Sequence, residues 1–308
     1  MRSRTCWTVV CAAVVLGIGM SSAWADAIPA GARSASSAIL GAEGFFAGAL
    51  PPPGFHALSY TLLYTADELK GKNGGEVDAP PFSDFQAWAY AEVLRGIYVS
   101  KMEIFGANPA WHVVVPVVHK HQGSDFFEDS MDGVGDIYVS PLILGWHKPP
   151  FHWVAGLDVI VPTGHYSSTD ITTIGNNHWT FEPAFAVSYI DDNGITASTK
   201  LMFDFHSTDP ALDYREGDQF HLDYHAGYRF GKDREWQAGV SGYYLVNVQD
   251  DKQAGHRIDD SKEQVFAIGP SVAYMKGPLS IEAKCLIETD AQNRPEGTAT
   301  WLKVIFSF

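Results

Sequence analysis

The stretch FHLDYHAGYRF, residues 220–230, sorts its side chains with a period of two. Phe220, Leu222, Tyr224, Ala226, Tyr228 and Phe230 fall on one side, and His221, Asp223, His225, Gly227 and Arg229 on the other. A helix would scatter these charges round its circumference, whereas a strand collects them on one face. The same sorting recurs in HWTFEPAFAVSYI (178–190), ITASTKLMFDFH (195–206), LSIEAKCLIE (279–288) and ATWLKVIFSF (299–308). Such runs predict about twelve strands, near 55–66, 84–98, 110–118, 134–146, 151–162, 178–190, 195–206, 218–230, 235–248, 264–275, 278–289 and 299–308. Most hold about ten to thirteen residues, longer than soluble strands usually run and suited to a tilted crossing of a bilayer.

The connectors carry a second pattern. HKPP, DDNG, GKDR and KG are tight turns, and between them lie HKHQGSDFFEDSMDG, TGHYSSTDITTIGNN, STDPALDYREG and QDDKQAGHRIDDSKE. Strict alternation of short and long links from the third strand onward is what an outer-membrane barrel requires, with short periplasmic turns, long outer loops and an even strand count. A soluble β-sandwich also alternates polar and apolar residues, but it has no need of alternating loop lengths. Trp111, Trp146, Trp153, Tyr189, Phe230, Trp236 and Tyr274 fall beside the short connectors, where an interfacial aromatic girdle would sit. The fold class expected is therefore all-β, a transmembrane antiparallel β-barrel of about twelve strands in a bacterial outer membrane. VSKMEIFGANPA, after the second strand, is longer than a periplasmic turn should be, so the register before residue 134 is the least determined.

The N-terminal residues fit export. Arg2 and Arg4 precede the apolar WTVVCAAVVLGIGM, and AWA ends at Ala25, which is the layout of a cleaved signal peptide spanning 1–25. Cys285 would then be the one cysteine left, so no internal disulfide is expected. The formal charge of −15 sets nucleic acid aside as a partner. Residues 26–53 are small and rich in Gly and Pro; they form either a periplasmic leader or a plug folded into the barrel of residues 54–308. Phe45 and Phe46 would supply the apolar contacts of such a plug. The C-terminal strand should pair with the first to abolish free edges. Its alternating hydrophobes ending in Phe306 and Phe308 resemble the signal by which the barrel assembly machinery recognises outer-membrane barrels.

GVGDIYVSPLILGWH (133–147), with GAEGFFAGALPPPGF before the first strand, resembles the meta-pathway phenol-degradation family of outer-membrane proteins. VPTGHY, FEPAFAVSY and GDQFHLDYHAGYRF continue the likeness over most of the chain. The resemblance implies a barrel transporter or channel linked to aromatic or other hydrophobic compounds.

With the apolar faces turned to lipid, the lumen would carry Asp158, Glu182, Lys200, Asp204, His221, Asp223, His225, Arg229, Glu282, Lys284 and Glu288. Charges of both signs across a narrow pore set up a transverse field that tunes selectivity. Passive uptake of small hydrophobic or aromatic ligands is the leading expectation, with no cofactor, no metal and no enzymatic activity. Membrane lipid and lipopolysaccharide are the expected surroundings. A second reading is a hydrolase that uses Ser167 with His165 or His178 at the outer rim, although no nucleophile elbow surrounds them. A structural β-protein without transport is a third. His119 and His121 beside SDFFEDSMDG suggest a cation patch, but the spacing matches no ligand set and a solvated loop accounts for it.

Overall fold

The computed structural model describes residues 38–308. The expected signal peptide and the first part of the leader, residues 26–37, lie outside the described residues. The elements in chain order are β1 (Gly54–Lys70), β2 (Gln86–Val99), β3 (Asn108–Gly123), β4 (Glu128–Val134), β5 (Ile137–Lys148) and β6 (Phe151–Val161). Then follow β7 (Thr180–Ile190), β8 (Ile195–His206), β9 (Tyr214–Arg215), β10 (Gln219–Phe230) and β11 (Trp236–Asn247). The series ends with β12 (Lys252–Gln253), β13 (His256–Arg257), β14 (Gln264–Lys276), β15 (Leu279–Gln292) and β16 (Arg294–Ser307). Twelve of these make the wall of a closed antiparallel barrel. Each pairs with its chain neighbours, and β1 closes the ring on β16 from His56↔Ser307 to Lys70↔Arg294. Closure leaves no unpaired wall edge, which lipid would not tolerate.

The alternation sorts as the sequence predicts. Phe181, Phe185 and Phe205 are exposed, while Thr180, Glu182, Asp204, His206, His221, Asp223 and His225 are buried. A fully exposed Val, Leu or Phe forgoes roughly 1.5–3 kcal/mol of burial in water. The band of exposed Leu, Val, Phe and Trp round this wall, from Leu63 to Phe306, therefore demands lipid rather than water. Aromatic pairs ring the end that carries the short turns: Tyr98 with Trp111, Trp146 with Trp153, Phe151 with Tyr189 and Trp236 with Tyr274.

Four features depart from the sequence reading. HKHQGSDFFEDSMDG is not a free loop: β3 runs on to Gly123 and β4 pairs back on it, so β5 begins only at Ile137. The long-loop end also carries the small sheet of β9, β12 and β13. The last two strands reach to either side of Asn293, because their upper arms pair outward, Thr289 with Phe266 and Glu296 with Glu68. The VSKMEIFGANPA link is a small protruding hairpin, held by mutual Ile104–Ala107 backbone bonds with Phe105 91% exposed at its tip.

The lumen is also less wet than alternation implies. Leu58, Tyr60, Val93, Ile97, Leu245 and Trp301 point inward and form one buried cluster with Ala42. The reason is that residues 38–50 run through the barrel interior, so part of the inner face packs on protein instead of water. Gly48 lies so close to the wall that a Cβ there would meet the Val187 and Ser188 backbone at 2.6 Å.

Candidate transport lumen

The inner faces of opposite walls converge on the segment 38–50. Asp223 accepts backbone N–H bonds from Gly41 and Glu43, both at 2.9 Å. Lys284 donates to the carbonyls of Gly41, Ala42 and Glu43 at 2.5, 3.1 and 2.7 Å. Gly48 N–H reaches Ser188 Oγ at 2.9 Å. Phe45 is 2% exposed and lies against His225, with ring centroids 4.0 Å apart. Phe46 lines the space below. A short backbone segment thus satisfies its polar groups with buried charged side chains from the wall, as a chain crossing a low-dielectric interior must.

Glu43 is the carboxylate of this segment, and the wall meets it with two cations. Arg95 Nη1 lies 2.5 Å from Oε1, and Lys303 Nζ lies 3.0 Å from Oε2. Arg95 also bonds His112 through Nη2 at 2.8 Å, and His112 faces Asp158 at 2.9 Å. Lys200 approaches Glu182 at 3.6 Å, and Glu182 and Asp204 both face His221, at 3.6 and 3.2 Å. The result is a waist of alternating charge, with about 50 Å³ of free space between Glu43, Arg95, His112, Asp158, Lys200 and His221.

Chambers lie on both sides of the waist. The larger, about 290 Å³, faces the long-loop end and is walled by Ile39, Leu62, Val93, Val118, Ile174 and Trp301, with Lys120, Glu263 and Arg294 at its polar margin. The other, about 240 Å³, faces the short-turn end against Phe45, Phe46, Leu50, Ile97, Ile143 and Ile305. Each is of the size and apolar character that takes a small ligand of a ring or two.

Of the residues expected in the lumen, Asp158, Glu182, Lys200, Asp204, His221 and Asp223 converge at or beside the waist. Lys284, His225 and Glu282 gather round the inserted segment and Lys303. Glu288 stands apart, accepting from Tyr64 at 2.7 Å and Tyr243 at 2.6 Å beside the larger chamber. Arg229 sits at the short-turn rim, where Nη2 donates to the Asp191 carbonyl at 3.2 Å. Glu43, Arg95, His112 and Lys303 escaped the sequence reading. Glu43 is the one acidic residue of 38–53, which was a usable signal. Arg95 shares its inward parity with Val93 and Ile97.

The residues of the hydrolase reading do not meet. Ser167 Oγ bonds Thr169 Oγ1 at 3.1 Å within its own turn, His165 Nδ1 faces the Asp132 carbonyl, and His178 faces Glu216. His121 stacks on Trp88, and His119 lies tilted against the same ring.

Closed wall, lipid-facing apolar band and loaded lumen define an outer-membrane β-barrel of channel-like architecture. The chain belongs to the family described as "Putative MetA-pathway of phenol degradation", whose pattern matches residues 66–304. Among solved structures it is similar to the COG4313 outer membrane channel from Pseudomonas putida F1, with a TM-score of 0.76 at 15% identity, covering 86% of this chain and 99% of that one. The transport unit of the autotransporter AIDA-I from Escherichia coli follows at 0.52 and 8% identity, over 91% and 99% of the two chains. The β domain of the Bordetella autotransporter BrkA gives 0.50 and 9%, over 83% and 100%. No curated protein matches the chain. These likenesses extend to the fold.

Proposed function

We infer that this barrel is a channel for passive uptake of small hydrophobic or aromatic compounds, gated by residues 38–50. The observation that carries this reading is the pair of apolar chambers separated by a charged waist that an inserted segment fills. An apolar solute gains by leaving water for either chamber, but it cannot cross the waist until Glu43 and its neighbours move aside. The gate is therefore the segment, and the wall charges Asp223 and Lys284 are its latch. The P. putida relative's description as a channel supports the transport half of the reading, and the family's description supports the aromatic half. On this reading Phe306 and Phe308 serve assembly into the membrane, not transport.

The test is uptake of a panel of radiolabelled aromatic and aliphatic compounds by a deletion strain with and without the gene restored. Restoration should raise entry of at least one aromatic compound. Equal entry of every compound in both strains would sink the proposal.

A further inference from the structure

A cluster at the long-loop end is not used by the lumen just described. His178 precedes β7, His206 ends β8, and Glu216 follows β9, so three segments meet there. All three residues are buried, at 4%, 4% and 2% exposure. Their ligand atoms lie within 4.8 Å of one another.

We propose that His178, His206 and Glu216 form a binding site for a divalent transition-metal ion of the Zn²⁺ class, which ties the loop 207–218 to the barrel rim. The orientation of each donor argues for it. Thr180 Oγ1 engages His206 Nδ1 at 2.9 Å and lies 3.4 Å from His178 Nδ1, so both imidazoles turn Nε2 inward. An engaged Nδ1 with Nε2 presented is the arrangement that outer partners impose on metal-binding histidines. Gln219 Nε2 holds Glu216 Oε1 at 2.7 Å, and Oε2 faces His178 Nε2. His206 Nε2 is buried and makes no hydrogen bond, a costly state that a metal ion would relieve.

The distances agree. His178 Nε2 and Glu216 Oε2 are 3.7 Å apart, long for a hydrogen bond. Donors about 2.0–2.1 Å from a tetrahedral Zn²⁺ lie roughly 3.3–3.4 Å from each other, so this pair closes on an ion with a shift of a few tenths of an ångström, and His206, within 4.8 Å of both, moves in to complete the set. Two imidazoles and one carboxylate suit a borderline cation better than Ca²⁺ or Mg²⁺, which prefer all-oxygen cages. The neighbouring cluster of Glu182, Asp204 and His221 is a poorer host, because the Lys200 ammonium already lies 3.6 Å from Glu182. At the upper site, Asp218 accepts the His206 backbone N–H at 3.3 Å and holds that histidine's main chain to the loop that bears Glu216.

The experiment is calorimetric titration of the tag-free full chain, folded in detergent, with ZnCl₂. Co²⁺ is then substituted, and its visible spectrum reports coordination number. One Zn²⁺ per chain and a four-coordinate Co²⁺ spectrum are expected. His206→Ala and Glu216→Gln should each weaken Zn²⁺ binding about 100-fold or more, while His119→Ala, at an exposed position of β3, should leave it unchanged. Retention of the heat-modifiable compact band on gels identifies variants that fold, and Glu216→Gln carries the test should His206→Ala not assemble. Absence of stoichiometric Zn²⁺ binding by the wild-type chain would overturn the proposal. So would binding that survives both site variants, or binding lost in His119→Ala.

Discussion

At the scale of single residues, the family-like motifs turn out to be joints. In GVGD, Asp136 accepts the N–H of Gly164 at 2.8 Å and of Asn176 at 2.9 Å, and so pins the loop 162–179 to the mouth. Gly164 and Gly175 touch backbone to backbone, and a Cβ on Gly164 would meet Gly175 Cα at 2.6 Å. Asp136→Ala should therefore loosen this loop by about 1–2 kcal/mol, the loss of two part-buried hydrogen bonds to a charged acceptor. The expected readout is faster chymotryptic cleavage at Tyr166 with the barrel still folded. Lys284 tests the latch in the same way. Lys284→Met strips three backbone carbonyls of their donor and leaves Asp223 without its nearby cation, a loss on the order of 3 kcal/mol to the hold on residues 38–50. Single-channel conductance in planar bilayers should rise, and an unchanged conductance would refute the latch.

At the scale of elements, strand parity decides what each position tolerates. On β16, Leu302 faces lipid and is 44% exposed, whereas its neighbours Trp301 and Lys303 point inward at 2% and 3%. Leu302→Arg should destabilise the barrel by about 2–4 kcal/mol if it lies near the midplane. Reversible urea unfolding from phospholipid vesicles measures this, and a change under about 0.5 kcal/mol would contradict a lipid-facing Leu302. Proline is managed at the same scale. Pro141 cannot donate to the ladder, and β5 carries an extra residue between Val139 and Leu142 where Ser140 Oγ reaches the Leu157 carbonyl at 2.7 Å. In SPLILGW the apolar run Leu142–Ile143–Leu144 hides the parity, and only pairing with both neighbours exposes the bulge.

At the scale of the whole molecule, the two chambers and the waist set what passes. Ala299 is 3% exposed and lines the larger chamber. Ala299→Phe fills part of that volume without touching the charged waist. Aromatic entry should fall about tenfold, the equivalent of about 1.4 kcal/mol, while the variant assembles as the wild type does. The comparison uses the same uptake assay, and undiminished entry would place the path elsewhere.

Twelve wall strands, the lipid-facing band and the faces of β7, β8, β10, β15 and β16 could be read from the chain, because a strand's sorting of polar and apolar residues is local and repeats every second position. The faces of β1 and β2 could not, since Leu58, Tyr60, Val93 and Ile97 turn inward. ITASTKLMFDFH was legible to the residue at both ends, since β8 spans Ile195–His206. Tertiary structure alone decided which inward charges meet. Glu43 finds Lys303 across 260 positions of sequence, and Lys284 finds Gly41 across 243. No local pattern encodes such encounters, because ring closure and the path of residues 38–50 fix them. The His178–His206–Glu216 cluster is tertiary in a different way: the registers of β7 with β8 and of β8 with β10 set Thr180 against His206 and Gln219 against Asp204, and no pattern within one strand states the register it takes with its neighbour.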